Sequence, residues 1–197
     1  TSTVFEHVPD CFSSKPFSPK STVECIFNFC FRLTILMYQS AEANNGAIVN
    51  ISSMGGNMSF GGFSAYSASK FALEGASEAL AQEVAPFGIK TMIVEPGAFR
   101  TEFAGNALKH MPKIDAYDEI VGGTRDFAKG MHHTQEGDPK KAAEVIESAL
   151  LSNNTPLRLQ LGKDAVDAIK AHGEQLLNDL EVWRKVAENT TFGNSTY

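Results

Sequence analysis

Two short apolar runs, Gly46-Ala-Ile-Val-Asn-Ile-Ser52 and Ile89-Lys-Thr-Met-Ile-Val-Glu95, flank one long stretch of helical period, and this order admits few folds. A run that is apolar at consecutive positions suits a strand buried on both faces. A helix joining two strands of one sheet crosses over right-handedly and leaves them parallel. Between the runs, Ala68, Phe71, Ala72, Gly75, Ala76, Ala79, Leu80 and Val84 recur at three- and four-residue steps and form one face of a helix running from about Tyr66. Pro86 cannot continue that helix and Gly88 can adopt a left-handed backbone, so it is expected to stop near Val84 or Ala85.

Ser53 follows the first run, at the carboxyl end of the strand, where open parallel sheets leave a ligand crevice. The flexible Gly55-Gly-Asn-Met-Ser-Phe-Gly-Gly62 then leads to Tyr66-Ser-Ala-Ser-Lys70, in which Tyr66 and Lys70, four residues apart, share one side of the helix. A hydroxyl, a phenol and an ammonium so placed can converge on one carbonyl oxygen. A free phenol titrates about three units above neutrality, a gap of roughly 4 kcal/mol, and a neighbouring ammonium closes part of it. Taken singly the parts are ordinary: Tyr-x-x-x-Lys arises by chance, and a serine after a strand is common turn chemistry. The information lies in their order: strand, serine, glycine loop, tyrosine, lysine, helix, strand.

The second run ends at Pro96-Gly97, and Pro96-Gly-Ala-Phe-Arg-Thr101 leaves it toward the same crevice. Together, Asn50-Ile-Ser-Ser53, Tyr66-Ser-Ala-Ser-Lys70, Ala85-Pro-Phe-Gly-Ile89 and Pro96-Gly-Ala-Phe-Arg-Thr101 resemble the catalytic half of the short-chain dehydrogenase/reductase family, over about residues 46 to 161. The resemblance implies a partial Rossmann-like α/β fold with a doubly wound parallel sheet. It implies Ser53 as orienter of the carbonyl, Tyr66 as acid/base, and Lys70 as activator of the phenol and binder of the cofactor ribose. The implied cofactor is NAD or NADP, with Pro96, Gly97, Phe99 and Thr101 touching it alongside Tyr66 and Lys70. The family's relay asparagine has Asn28 as its candidate here. Counting back from Ser53 puts the expected position nearer Ile26, so Asn28 reads equally as a helix surface residue. No metal is implied.

The family holds its cofactor's pyrophosphate on a glycine-rich loop, and no Gly-x-x-x-Gly-x-Gly or Gly-x-Gly-x-x-Gly sequence precedes Ser53. The N-terminal strands therefore read as missing, and the chain as a fragment, a misread gene product or a remnant. Residues 1–24 read as an irregular segment foreign to the family, 25–188 as the catalytic domain and 189–197 as a tail. Ile26 to Tyr38 reads as the helix leading into the first strand, too short and too charged, with Arg32, for a membrane span. The strand at 47–52 is then expected to expose an edge that invites a partner.

The net charge of −6 gives no basic footprint for nucleic acid, and three cysteines without metal-ligand spacing suggest a reducing, cytoplasmic setting. The apolar residues spread between 102 and 135 suggest either cover for a lipophilic alcohol or ketone or a small helical subcore. His132 to Glu136 reads as a solvated loop, Asp138-Pro139 as the start of a helix to Leu150, Leu157–Leu161 as a third strand, and Asp164 to Glu188 as a last helix. The leading function is hydride transfer between nicotinamide and a secondary alcohol or ketone, in a homo-oligomer. The rival is a non-catalytic module that dimerises through the small residues of the Tyr66 helix. Sugar-nucleotide epimerisation is a third reading, weakened by the short chain after Thr101.

Overall fold

The computed structural model describes residues 35–39, 46–104, 108, 112–190 and 192. Strands β1 (Ile35–Gln39), β2 (Gly46–Ile51), β3 (Lys90–Pro96) and β4 (Arg158–Leu161) form one sheet in the order β1-β2-β3-β4. Helix α1 (Ser64–Val84) crosses from β2 to β3, and α2 (Asp118–Gly130) and α3 (Pro139–Leu151) lie between β3 and β4. Helix α4 (Lys163–Ala187) follows β4. β2, β3 and β4 run parallel, which is the expected partial Rossmann-like α/β arrangement. Among the described residues, no helix is long and apolar enough to cross a membrane.

Local chemistry explains most boundaries. After Val84 the chain tightens into a 3-10 turn, Ala85–Phe87, that contains Pro86, and Gly88 closes it at φ 70°. Asp138 accepts a hydrogen bond from the Lys140 amide at 2.8 Å, with Pro139 in the first helical position, so α3 starts as its sequence predicts.

The two faces of the sheet differ in chemistry. Val49, Met92, Val94 and Leu161 form the buried apolar cluster, packed against Ala142, Ile146, Ala149 and Leu150 of α3. The opposite face, toward α1, presents Asn50, Ser52 and Glu95, all buried, and meets Ser77 and Glu74 of the helix. Asn50 Nδ2 donates to Ser77 Oγ at 2.8 Å, and Ser77 Oγ donates to the Leu73 carbonyl at 2.7 Å.

Three expectations change. The α1 residues that pack are Ser67, Leu73, Glu74 and Ser77, whereas Ala68, Phe71, Ala72, Gly75 and Ala79 face outward. The reason is the sheet beneath: its buried Asn50 and Ser52 side chains take Ser77 and Glu74 of the helix as partners. Residues 35–39 are strand rather than the end of a helix, since a short apolar run is compatible with either and the open side of β2 offers unpaired backbone groups. Accordingly the edge of β2 is not exposed; β1 pairs with it antiparallel, Ile35 opposite Asn50 through Gln39 opposite Gly46.

Two glycines give opposite expectations. A Cβ at Gly56 would collide with the Glu74 carboxylate and the Ser52 hydroxyl, whereas one at Gly75 meets open space. Gly56→Ala is expected to lower stability by about 1–3 kcal/mol and Gly75→Ala to raise it by about 1 kcal/mol, read from urea denaturation midpoints.

Candidate active site

The parallel register sets the site. Ile51 pairs with Val94, and the Ser52 amide donates to the Val94 carbonyl at 2.7 Å, so β2 and β3 release their chains at the same level. Ser53 leaves β2 into a 3-10 turn, Met54–Gly56, and its Oγ accepts from the Gly55 amide at 3.1 Å. Gly55 is buried against Tyr66, whose Cε1 would lie 3.0 Å from a Cβ there. The absent side chain lets the turn close onto the ring.

Tyr66 stands in the first turn of α1 and hydrogen-bonds to the Ser53 side chain. Lys70, one turn on, donates from Nζ to the Ile51 carbonyl at 3.0 Å and lies 5.9 Å from the centre of the Tyr66 ring. The three residues singled out by spacing therefore meet. Phe63 packs edge-on to Tyr66 at 6.1 Å and Phe103 tilts against it at 5.6 Å. Burial raises the phenol above its usual 10, and the Ser53 hydrogen bond opposes that rise. With no ligand bound, the phenol is a protonated acid at neutral pH.

Pro96 and Gly97 sit where β3 ends, level with Ser53. The Gly97 amide donates to the Leu161 carbonyl at 2.9 Å, and the Ala98 amide donates to Asp164 Oδ2 at 2.6 Å. Asp164 lies so close that a Cβ on Gly97 would collide with its carboxylate. Phe99 bridges to Gly137 in parallel fashion, with Arg100 N–H donating to the Gly137 carbonyl and Gly137 N–H to the Ala98 carbonyl. Phe99's own amide therefore points away from Gly137. Thr101 is exposed, and its hydroxyl accepts from the Phe103 amide at 3.3 Å. Asn28 lies outside the described residues.

Among the described residues after Thr101, the apolar Ile114, Tyr117, Ile120 and Phe127 are all exposed and form no subcore. Helix α2 approaches the glycine loop instead, where a Cβ on Gly62 would lie 3.5 Å from Val121 and Thr124. The expected solvated loop at 132–136 is partly buried. Gln135 is enclosed and its carbonyl accepts from Arg100 Nε and Nη2 at 3.2 and 2.9 Å, because the loop turns back onto the Phe99 bridge.

Beneath the site lies a group that sequence reasoning missed. Ser52 Oγ donates to Glu74 Oε1 at 2.6 Å, and Glu74 Oε2 and Glu95 Oε1 each lie 3.3 Å from Arg158 Nε. Arg158 Nη1 also pairs with Glu78 at 2.7 Å, and Gln160 Nε2 donates to Glu95 Oε2. Burial, reinforced by Glu74, pushes Glu95 up from 4.5 to about 7. Asp164 was missed as well; its one sequence signal is an acidic residue in the first turn of a helix beside a predicted crevice.

Serine, tyrosine and lysine thus gather at the carboxyl edge of the parallel sheet of a Rossmann-like fold, where such sheets leave a crevice. A family model described as short chain dehydrogenase matches residues 19–112, beginning upstream of the motifs that carry the resemblance. The chain is 35% identical over 146 residues to the oxidoreductase BOA17 of Botryotinia fuckeliana, covering 74% of this chain and 53% of that protein. To a 3-ketodihydrosphingosine reductase of Bacteroides thetaiotaomicron it is 36% identical over 146 residues, covering 70% and 50%. The solved structure of a short-chain dehydrogenase from Streptomyces avermitilis superposes with a TM-score of 0.66 at 51% identity, covering 74% of this chain and 53% of that one. The chain belongs to the short-chain dehydrogenase/reductase family, and it spans about half the length of these relatives.

Glu95 yields a pH prediction. A carboxyl that holds its proton more tightly when folded stabilises the folded state most at low pH, and that advantage disappears as pH rises from about 4.5 to about 7. Relative to Glu95→Gln, the wild type is expected to lose on the order of 1–3 kcal/mol across this window, measured by denaturation at a series of pH values.

Proposed function

We propose that this chain supplies the catalytic half of an oxidoreductase that uses NAD or NADP to interconvert a secondary alcohol and a ketone, with Tyr66 as acid/base. The observation that carries this reading is the meeting of Ser53 with the Tyr66 phenol at the carboxyl ends of β2 and β3, with Lys70 Nζ 5.9 Å from the centre of the same ring. In the reduction direction the phenol donates its proton to the substrate oxygen as the carbonyl carbon accepts hydride, and the Lys70 ammonium stabilises the resulting phenolate. In the oxidation direction the phenolate takes the hydroxyl proton as hydride leaves the carbon. Ser53 receives a hydrogen bond from Gly55, which leaves its own proton for the substrate oxygen or the phenol.

The residues at the end of β3 fit the nicotinamide half of the cofactor. Gly97 is packed against the Asp164 carboxylate, which leaves the Phe99 amide, turned away from its own bridge, and the exposed Thr101 hydroxyl as the groups open to a ligand. Pro96, Gly97, Phe99 and Thr101 would hold that half and Lys70 the adjoining ribose; once bound, the cofactor contributes hydride transfer. Phe63 and Phe103 beside Tyr66, with the exposed apolar side chains of 114–127, favour a lipophilic ketone. A relative named as a 3-ketodihydrosphingosine reductase points the same way.

A second reading, a module that associates without catalysis, is favoured by the outward face of α1, where Ala68, Phe71, Ala72, Gly75 and Ala79 would permit close helix packing in a homodimer. Fluorescence titration with NADH and NADPH separates the two. Saturable binding, with Tyr66→Phe lowering kcat about 10²–10⁴-fold at unchanged binding, is expected for the enzyme. Absence of binding, together with an oligomer that Ala72→Glu dissociates in sedimentation velocity, would leave the module.

A further inference from the structure

The buried acids beneath the site connect its two halves. Ser52 immediately precedes Ser53, and Glu95 immediately precedes Pro96-Gly97. Glu74 bonds the first through Oε1, while its Oε2 and Glu95 Oε1 each lie 3.3 Å from the same nitrogen, Arg158 Nε. Glu74 and Glu95 are 3% and 0% exposed, so water shields neither charge. Glu95 Oε1 makes no hydrogen bond of its own to the rest of the protein, although Arg158 Nε lies 3.3 Å away. Two buried carboxyl groups set on one guanidinium nitrogen repel each other when both are ionised, and that guanidinium, shared also with Glu78, does not neutralise both, so the pair is favoured with one proton between them. Gly56 completes the arrangement, since any side chain there would displace the Ser52 to Glu74 bond.

We propose that Glu74 is a positioning residue for the Ser53 turn, and that it shares one proton with Glu95, so that an acid pair clamps the serine-bearing strand end to the one bearing Pro96-Gly97. This rests on the reading of Ser53 and Tyr66 given above. The groups facing the pair are Ser52 from β2, Glu78 from α1, and Arg158 and Gln160 from β4. Lys70 is turned to the Ile51 carbonyl at the exit of β2. Neither acid touches the reacting atoms. Their effect passes through the Ser52 hydroxyl to the turn that aims Ser53 at the phenol.

The test follows the phenol itself and does not require turnover. The full chain is labelled with 3-fluorotyrosine, and the Tyr66 signal among the four tyrosines is identified in fluorine NMR by its loss in Tyr66→Phe. Ser53→Ala removes a hydrogen bond that lowers the phenol's titration midpoint, and so is expected to raise it by about one pH unit. Ser52→Ala and Glu74→Ala are expected to move it the same way, whereas Glu74→Gln, which keeps an acceptor for Ser52 and offers an N–H to Glu95, holds the wild-type midpoint. Should Glu74→Ala fail to fold, Ser52→Ala carries the comparison. Glu95→Gln, a permanent donor, is expected to keep the midpoint and abolish the loss of stability between pH 4.5 and 7. If Ser53→Ala shifts the midpoint while Ser52→Ala and Glu74→Ala do not, positioning by Glu74 is overturned and the Tyr66 reading stands. If Ser53→Ala has no effect either, both fall. A wild-type pH slope in Glu95→Gln removes the shared proton.

Discussion

The parallel pairing of β2 with β3 governs the geometry of everything above it. Ile51 lies beside Val94 and the ladder continues through the Ser52 amide to the Val94 carbonyl, so both strands give out at one height. A slip of one residue would turn Ser52 away from α1 and break its bond to Glu74. Because Asn50 and Ser52 face the helix and bond to Ser77 and Glu74 there, the same register decides which side of α1 is buried. Helix orientation then puts Tyr66 and Lys70 over the turn that begins at Ser53.

A polar sheet–helix interface is an expensive way to hold a domain together, since each buried donor or acceptor costs free energy unless it is matched. Here the matches form a chain from the β2 exit through Ser52, Glu74 and Arg158 to Glu95 at the β3 exit. The apolar side, toward α3, holds the ordinary core of Val49, Met92, Val94 and Leu161. One face thus contributes hydrophobic burial, and the other fixes where two loops start.

Much of this architecture was legible. Strand, helix and strand limits fell within a residue or two, because Pro86, Gly88, Asp138 and Pro139 act through local backbone chemistry that needs no tertiary context. The meeting of Ser53, Tyr66 and Lys70 could be read from spacing, since a helix places residues four apart on one side. The face of α1 could not. A helical stripe of alanine with Phe71 looks like a core face until the sheet beneath it is known to be polar. Nothing in the sequence marks Glu95 as buried, and only its pairing with Gln160 on β4 shows it enclosed. Residues 35–39 were misread because a short apolar run has no period of its own long enough to separate helix from strand.

The connection from β2 to α1 divides into two unlike parts. Gly55 and Gly56 are packed beneath the Tyr66 ring and the Glu74 carboxylate, whereas Ser59 to Gly62 lie open to water. Sequence drift can therefore be absorbed between Ser59 and Gly61 at little cost to the fold, while Gly62, at φ 91°, is held to glycine by its backbone. Before Met58, even a methyl group reaches the acid pair, so the first half of this loop evolves with the interior and the second half with the surface.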